Sequence, residues 1–253
     1  MRLEIDIGAE ARDSAIAALD FAALSRGDLM NLILQRSEVM FDRPKSGRII
    51  KAWNEGDEAP INAVIDDMGQ TIAQRAAGVI RAEYRALEPV LRDLAPRRVA
   101  DIGCGYALFD LFLGQELGCE LLLIDLESNE RRHFGFAKEG AAYSSLAVAR
   151  KLLEDNGIPA DRVATLNPRD TAPETAGPVD LAVSFLSCGF HYPVDLYLPF
   201  LEQALAPDGA AILDLREATA VEQAAKLARL GSLTDLPAPP KARRVLLRKG
   251  ARA

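Results

Sequence analysis

The stretch VADIGCGYALFDLFL, residues 99–113, passes from an apolar run through two closely spaced glycines into a second apolar run. This order is typical of a strand, a tight turn and a helix. Gly103 and Gly105 would let the backbone adopt positive φ and come close to a ligand. The first strand-to-helix turn of an α/β sheet is a usual ligand site. Because an ordinary α/β turn can need the same glycines, the turn alone identifies no ligand.

The pattern around this turn continues toward the C-terminus, where short apolar runs alternate with helical patterns. Such alternation implies right-handed crossovers between parallel strands. The strand candidates read RRVADI, CELLLID, RVATL, VDLAVSFL and AAILDL, followed by a short strand and a final strand near the C-terminus. We therefore predict an α/β fold with a doubly wound, mostly parallel, Rossmann-like sheet.

The N-terminal region favours helices, and the spacing of Ser25 and Asp28 predicts a capping box at the start of one of them. Residues 42–60 mix proline, glycine and charge, which indicates an ordered loop. The only tryptophan, Trp53, lies in this segment and is interpreted as a packing anchor rather than a ligand contact.

We expect two regions along the chain. Residues 1–75 are predicted to form a helical cap, and residues 76–253 the ligand-binding domain. In the long helical pattern before the sheet, Pro89 is expected to end one helix and start a second.

Composition excludes several classes of protein. With a net charge of −7, the chain is not expected to bind nucleic acid, although its C-terminus is locally basic. The three cysteines show no CxxC spacing and there are only two histidines, which argues against a structural zinc site. No apolar stretch approaches the 18 residues of a membrane span. We predict a cytoplasmic protein without metal or membrane partner; the sequence does not indicate an oligomeric state.

Two acids follow neighbouring strands. Asp101 ends the strand before the turn, and Asp125 ends the next one. An acid beside the turn would repel a diphosphate, and Leu108 stands where a dinucleotide site has a third small residue, so NAD fits poorly. The pair suits a cationic nucleoside, with Asp125 accepting hydrogen bonds from the ribose hydroxyls; Glu127 is the alternative ribose partner.

The motifs VADIGCGYA, LLLIDLE, PVDLAVSFL and LAPDGAAILDL resemble those of the class I S-adenosylmethionine-dependent methyltransferases, over about residues 97–216. The resemblance implies S-adenosylmethionine as cofactor and assigns a role to each matching position. The implied cofactor-binding residues are Asp101, Gly103 and Gly105 at the turn, Asp125 at the ribose, Asn167 or Asp170 near adenine, and Ser187 in the loop after the fourth strand. The family's frequent third glycine is Ala107 here.

Methyl transfer to an oxygen or nitrogen gains from a nearby base. His191 follows the fourth strand among aromatic residues and is the predicted catalytic base; the alternative is that it only packs or orients the loop. The long segment after the second strand is expected either to lie over the active site or to be a solvated helix start. Its candidate residues are Arg131, Arg132, His133, Phe134, Phe136 and Tyr143.

The segments HFGFAKEGAAYSSLAVAR and SCGFHYPVDLYL are similar to stretches of bacterial proteins labelled sugar O-methyltransferases. This resemblance implies a small-molecule or glycan acceptor, with methyl transfer to a hydroxyl of a sugar or related metabolite. An RNA methyltransferase, suggested only by the basic C-terminus, is one alternative. A cofactor-binding interaction protein without catalysis is the other.

Overall fold

The computed structural model of the chain describes residues 2–127 and 144–250. Seven strands of these residues form one sheet, in the order β3-β2-β1-β4-β5-β7-β6. The strands are β1 (Arg98–Ile102), β2 (Glu120–Ile124), β3 (Val163–Leu166), β4 (Val179–Ser184), β5 (Leu205–Arg216), β6 (Gly231–Leu236) and β7 (Ala242–Lys249).

Strands β1 to β5 pair in parallel, whereas β7 runs antiparallel to both β5 and β6. The predicted α/β fold with a mostly parallel, doubly wound sheet is confirmed, and the two strands expected near the C-terminus are β6 and β7. Because parallel strands end at the same edge, the segments that follow β1, β2 and β4 meet there.

Helices cover both faces of this sheet and form the N-terminal extension. In the described residues they are α1 (Ile7–Ala11), α2 (Ser14–Ala17), α3 (Arg26–Gln35), α4 (Ser46–Asn54), α5 (Ala59–Met68), α6 (Thr71–Leu94), α7 (Leu108–Leu117), α8 (Leu146–Asp155), α9 (Leu198–Gln203) and α10 (Ala220–Leu227). None of these helices combines the length and the apolar composition needed to cross a membrane.

The predicted capping box opens α3. The Ser25 hydroxyl accepts a hydrogen bond from the backbone N–H of Asp28, whose carboxylate accepts the N–H of Ser25 in return. The loop predicted over residues 42–60 is wrong, because its middle forms α4. Ile49, Ile50 and Trp53 recur at helical spacing and pack against the main core, which outweighs the local proline and glycine.

The break predicted at Pro89 is also wrong, since α6 continues through it. Proline inside a helix costs about 3 kcal/mol through its missing N–H and its clash with the preceding turn. Here Leu87 and Leu91 lie on either side of Pro89 and are both fully buried. Burial of two such side chains contributes about 3–6 kcal/mol, which is enough to hold the helix together.

Two apolar clusters lie on opposite faces of the sheet. In β1, Val99 belongs to one cluster, and Ala100 and Ile102 to the other, as the alternation of a strand requires. The cluster around Val99 also contains Ile16 and Ile33 of the N-terminal helices, so these helices share their core with the sheet. The boundary predicted after residue 75 falls inside α6, and the division into a cap and a domain stays a prediction.

Candidate functional site

A cavity of about 520 Å³ lies between the N-terminal helices and the ends of β1, β2 and β4. We call one part of its wall the turn end; it consists of Asp101, Gly103, Gly105 and Asp125. We call another part the arginine end; it consists of Arg36, Glu38 and Glu83. The residues that follow β4 line the cavity as well, including Phe185, Ser187, His191 and Tyr192.

The turn end is built from backbone contacts. The N–H of Gly103 donates to the carbonyl of Ile124 at 2.7 Å, which fixes the turn to the end of β2. The N–H of Gly105 donates to a carboxylate oxygen of Asp125 at 2.9 Å. Both glycines have positive φ, at +77° for Gly103 and +57° for Gly105, so the predicted need for glycine is real at each position.

The space left by Gly103 is filled by the chain itself. A Cβ atom at this position would lie 1.9 Å from the Ser187 hydroxyl oxygen. That oxygen is also 2.7 Å from the hydroxyl of Tyr192. Gly103 therefore admits the loop after β4 to the turn, which brings Ser187 beside the predicted cofactor residues.

Asp101 is almost fully buried and lies close to Asp110, which is fully buried in the first turn of α7. While both carboxylates are ionised, neither side-chain oxygen of Asp110 has a hydrogen-bond donor among the described residues. Burial raises the pKa of Asp101 well above its usual range, and the Asp110 carboxylate raises it further. Burial also raises the pKa of Asp110, to about 7. Because two carboxylates this close resist ionising together, the pair holds one proton near neutral pH.

Asp125 has the surroundings expected of a binding acid. Its oxygens accept hydrogen bonds from the Ser144 hydroxyl at 2.7 Å and the N–H of Glu127 at 3.2 Å, besides that of Gly105. Burial raises its pKa, although these bonds lower it in part. The alternative acid, Glu127, is used otherwise: its carboxylate accepts the first N–H of α8, from Leu146, at 2.8 Å. This use favours Asp125 over Glu127 at the cavity.

The two candidates for adenine recognition do not line the cavity. Asn167 donates to Glu127 at 3.3 Å and accepts from the N–H of Arg169 at 3.0 Å, so its amide organises the turn after β3. Asp170 is exposed in the same turn. Their predicted role therefore stays a prediction.

His191 lines the cavity and is exposed at its wall. Its ring contacts Phe190 edge to face, at 5.2 Å between ring centroids. Partial desolvation lowers the pKa of His191, and the neighbouring Arg216 guanidinium lowers it further. The imidazole is therefore mainly neutral at pH 7 and can accept a proton.

The arginine end opens on a buried network of charged side chains that the sequence analysis missed. Glu83 of α6 accepts from Arg36 at 2.8 Å and from Arg244 of β7 at 2.9 Å. Arg244, which is fully buried, also forms two hydrogen bonds to Asp214 of β5, at 2.7 and 2.8 Å. Its guanidinium stacks on the ring of Phe185, 4.6 Å from the centroid.

One signal for this network was present in the sequence. Asp214 interrupts the apolar strand run AAILDL, and Arg244 precedes the apolar run VLL. A charge inside a strand that is buried on both faces needs a partner. The partner Glu83 lies in a helix 161 residues before Arg244, so no local pattern connects them.

The N-terminal helices reach the turn directly. The Tyr106 hydroxyl donates to a carboxylate oxygen of Asp28 at 2.6 Å and accepts from the Asn31 amide at 2.8 Å. Tyr106 follows Gly105 in the turn and is 2% exposed, and the two bonds themselves are partly buried. Residues from α3 thereby take part in shaping the turn end.

Part of the locally basic C-terminus is paired within the chain. Arg243 pairs with Asp235, Arg244 with the buried acids, and Arg248 with Asp93. Lys249 donates to two backbone carbonyls. Lys241 lines the cavity, and Arg252 lies outside the described residues, so the RNA alternative stays a prediction. The candidate residues in the segment after β2, from Arg131 to Tyr143, lie outside the described residues.

Comparison with protein-family models gave no match, and no curated protein matches the chain. Among solved structures, a methyltransferase from Geobacter sulfurreducens is 17% identical, with a TM-score of 0.47 over 66% of this chain and 78% of that one. A ribosomal protein L11 methylase from Lactobacillus delbrueckii subsp. bulgaricus is 20% identical, with a TM-score of 0.45 over 65% of this chain and 77% of that one.

The O-methyltransferase TomG from Streptomyces achromogenes, solved in complex with SAM, is 14% identical, with a TM-score of 0.46 over 67% of this chain and 80% of that one. At such identities and TM-scores these similarities say nothing of this chain's activity or acceptor. The chain has the fold class predicted from its sequence, a Rossmann-like, mostly parallel α/β sheet, as its own strand order shows.

Proposed function

We propose that this chain is an S-adenosylmethionine-dependent methyltransferase that acts on a hydroxyl of a small polar acceptor. One observation carries the proposal: a single cavity joins the glycine turn with its two acids to His191 and to a polar, aromatic wall. A binding protein without catalysis would need only the turn.

The residues of the turn end fit a cationic nucleoside. The buried pair of Asp101 and Asp110 holds a proton near neutral pH, and a positively charged group beside it would favour its ionised form. Asp125 accepts three hydrogen bonds, and a carboxylate has capacity for about four. Asp125 could hold the ribose hydroxyls through its remaining acceptor position and by giving up its hydrogen bond from the Ser144 hydroxyl. The cofactor, when bound, supplies an activated methyl group on a sulfonium.

His191 is proposed as the base that takes the proton of the acceptor hydroxyl. Its lowered pKa keeps the imidazole neutral at pH 7, and its place in the cavity wall supports access to the acceptor. The role of Ser187 beside Gly103 is proposed to be cofactor contact, supported by the closeness of the two residues.

A small sugar or related metabolite is the proposed acceptor class. The wall combines the flat faces of Trp53 and Phe185 with the side chains of Arg36, Glu38 and Glu83. Aromatic faces cover the apolar side of a sugar ring, while planar charged groups form paired hydrogen bonds with adjacent hydroxyls. Because Arg36 and Trp53 both precede residue 75, this composition supports the proposal that the N-terminal helices help to close the acceptor side.

Calorimetry with S-adenosylhomocysteine, S-adenosylmethionine and NAD tests the cofactor. We expect the first two to bind and NAD to bind weakly or not at all. Asp125→Ala should weaken S-adenosylhomocysteine binding by about 10- to 100-fold, the loss of hydrogen bonds to a charged group. Glu127→Ala is the matched control and should change this affinity little. Tight NAD binding with no response to S-adenosylmethionine or S-adenosylhomocysteine would contradict the proposal.

The base is tested separately. His191→Ala should leave cofactor affinity unchanged but lower single-turnover transfer by about 10²–10⁴-fold, with an acceptor found by screening sugars and sugar acids. The acidic limb of the pH profile should lie below the usual histidine range and should vanish in the variant. Transfer at the parent rate would leave His191 as a packing residue.

A further inference from the structure

Arg36, the residue after α3, is held at the cavity wall by one of its three nitrogens. Its NH1 donates to Glu83 at 2.8 Å and lies 3.4 Å from Glu38. The side chain is 12% exposed and lines the cavity. Within residues 2–127 and 144–250, the Nε and NH2 atoms of Arg36 have no hydrogen-bond partner.

These two nitrogens form one edge of the guanidinium, with parallel N–H bonds that match the two oxygens of a carboxylate. The protein contains an example of this match. Arg244 donates from Nε and NH2 to the two oxygens of Asp214, at 2.7 and 2.8 Å. Arg36 has the same edge without a partner among the described residues, at the wall of the cavity.

We propose that this edge of Arg36 binds a carboxylate of the acceptor, so that the substrate is a small hydroxy acid, such as a sugar acid, rather than a neutral sugar. The assignment as acceptor rests on the proposed methyl transfer. The carboxylate contact itself rests only on the cavity and on Arg36.

The charges around Arg36 allow an anion to bind. Burial opposes the ionisation of Glu83, but Arg36 and Arg244 offset it and lower the pKa of this acid, so its negative charge is shared by two guanidinium groups. Lys241 also lines the cavity and adds a positive charge, so that Arg36, Arg244 and Lys241 together match the charges of Glu83, Glu38 and Asp214. The Arg36 guanidinium stays charged, since Glu83 and Glu38 raise its pKa despite its burial.

The single tryptophan provides the measurement. Trp53 is 3% exposed and lines the same cavity, so its fluorescence reports on occupancy without any need for turnover. The probes are two matched pairs that do not absorb near 280 nm: glucuronate with glucose, and cyclohexanecarboxylate with cyclohexanol. Each pair differs in the carboxylate. Inorganic phosphate is the tetrahedral anion for comparison.

We expect the carboxylate member of at least one pair to bind about 10- to 100-fold more tightly than its neutral partner. Arg36→Gln should abolish this preference. Because that change also leaves Glu83 with one arginine, Arg36→Lys serves as a second variant: it keeps the positive charge but has no two-pronged edge, and should lose most of the preference. Arg43→Gln, a change outside the cavity, should keep it.

Three results would overturn the proposal: no carboxylate preference in either pair, a preference that survives both Arg36 variants in full, or tighter binding of phosphate than of both carboxylates. These titrations contain no cofactor. A failure here therefore leaves the methyltransferase proposal standing, and failure of S-adenosylhomocysteine binding leaves this contact standing.

Discussion

The two ends of the cavity hold their charges in different ways. At the turn end, Asp125 is fixed by backbone N–H groups and a hydroxyl, and Asp101 is neutralised by a shared proton. At the arginine end, Glu83 meets no backbone donor from the part of the chain that the structure describes and is neutralised by two guanidinium groups. The negative charge of a buried acid at a cavity can therefore be stabilised by backbone N–H donors, by a shared proton or by a counter-charge. Only the last of these depends on long side chains from distant elements.

Removing the shared acid of the arginine end is expected to have the largest effect. Glu83→Gln leaves the positive charges of Arg36 and Arg244 without their common partner, and breaking a buried ion pair costs about 3–5 kcal/mol. Urea denaturation measures the free energy of unfolding. Glu38→Gln, which removes an exposed partner of the same Arg36, should cost less than about 1 kcal/mol. Equal losses of unfolding free energy in the two variants would show that burial does not increase the cost of breaking these ion pairs.

A single methyl group added at Gly103 should destabilise the turn end. Gly103→Ala places a Cβ 1.9 Å from the Ser187 hydroxyl oxygen in a left-handed conformation. We expect a loss of about 2–5 kcal/mol from overpacking and backbone strain together. Gly56 also has positive φ but nothing within 4 Å of an added Cβ, so Gly56→Ala isolates the strain, at about 1–2 kcal/mol. A Gly103→Ala protein no less stable than Gly56→Ala would contradict the close approach of Ser187.

The shared proton predicts how stability depends on pH. The folded-state pKa of Asp110 is about 7, above its usual value of 3.8. An acid with a raised pKa stabilises the fold while protonated, and this contribution falls as the pH rises through the folded pKa. Asp110→Asn keeps the shape without the titration. Relative to the parent it should gain about 1–3 kcal/mol between pH 5 and pH 8, since one pKa unit corresponds to about 1.4 kcal/mol. If the stability of the two proteins depended on pH in the same way, the raised pKa of Asp110 would be contradicted.

The smallest effect is expected at the third position of the turn. Ala107 has φ +56°, a left-handed conformation that glycine adopts more easily, and it is fully buried. In Ala107→Gly, the relief of about 1 kcal/mol of backbone strain is offset by the lost burial of a methyl group. The exposed Ala95 has φ +43° and no such burial to lose, so Ala95→Gly should stabilise by about 0.5–1 kcal/mol. Thermal unfolding of both variants compares them. A large loss in Ala107→Gly would mean that its methyl group packs the turn.

Local patterns were sufficient to predict the turn end. The glycines, Asp101 and Asp125 lie within one strand-turn-helix-strand unit, and parallel pairing of β1 with β2 brings the two acids to one edge. The alternation of strands and helices predicted the sheet for the same reason. The two residues of the capping box, Ser25 and Asp28, are also only three positions apart.

The error over residues 42–60 missed a local pattern, the helical spacing of Ile49, Ile50 and Trp53, whereas the other error and the omissions concern interactions that are not local. The helix continues past Pro89 because of tertiary packing on either side, which the proline rule does not contain. The buried network behind the arginine end combines Arg36, just after α3, with Glu83 of α6, Asp214 of β5 and Arg244 of β7, and ion pairs have no periodicity that a single sequence displays. Asn167 and Asp170 were carried over by position alone, and position after a strand does not determine which way a turn faces.

The charged residues at and behind the arginine end are synthesised at different times. Glu83 and Arg36 are only 47 residues apart, whereas Arg244 follows Glu83 by 161 residues. At about 5–20 residues per second, a ribosome takes on the order of 10–30 s to add that stretch. Throughout this interval all of the α6 sequence has been synthesised, but only one of the two arginines that pair with Glu83 is present in the chain. The wall that we assign to the acceptor is therefore the last part of the cavity to be finished, and synthesis that stops before β7 leaves it without its inner counter-charge.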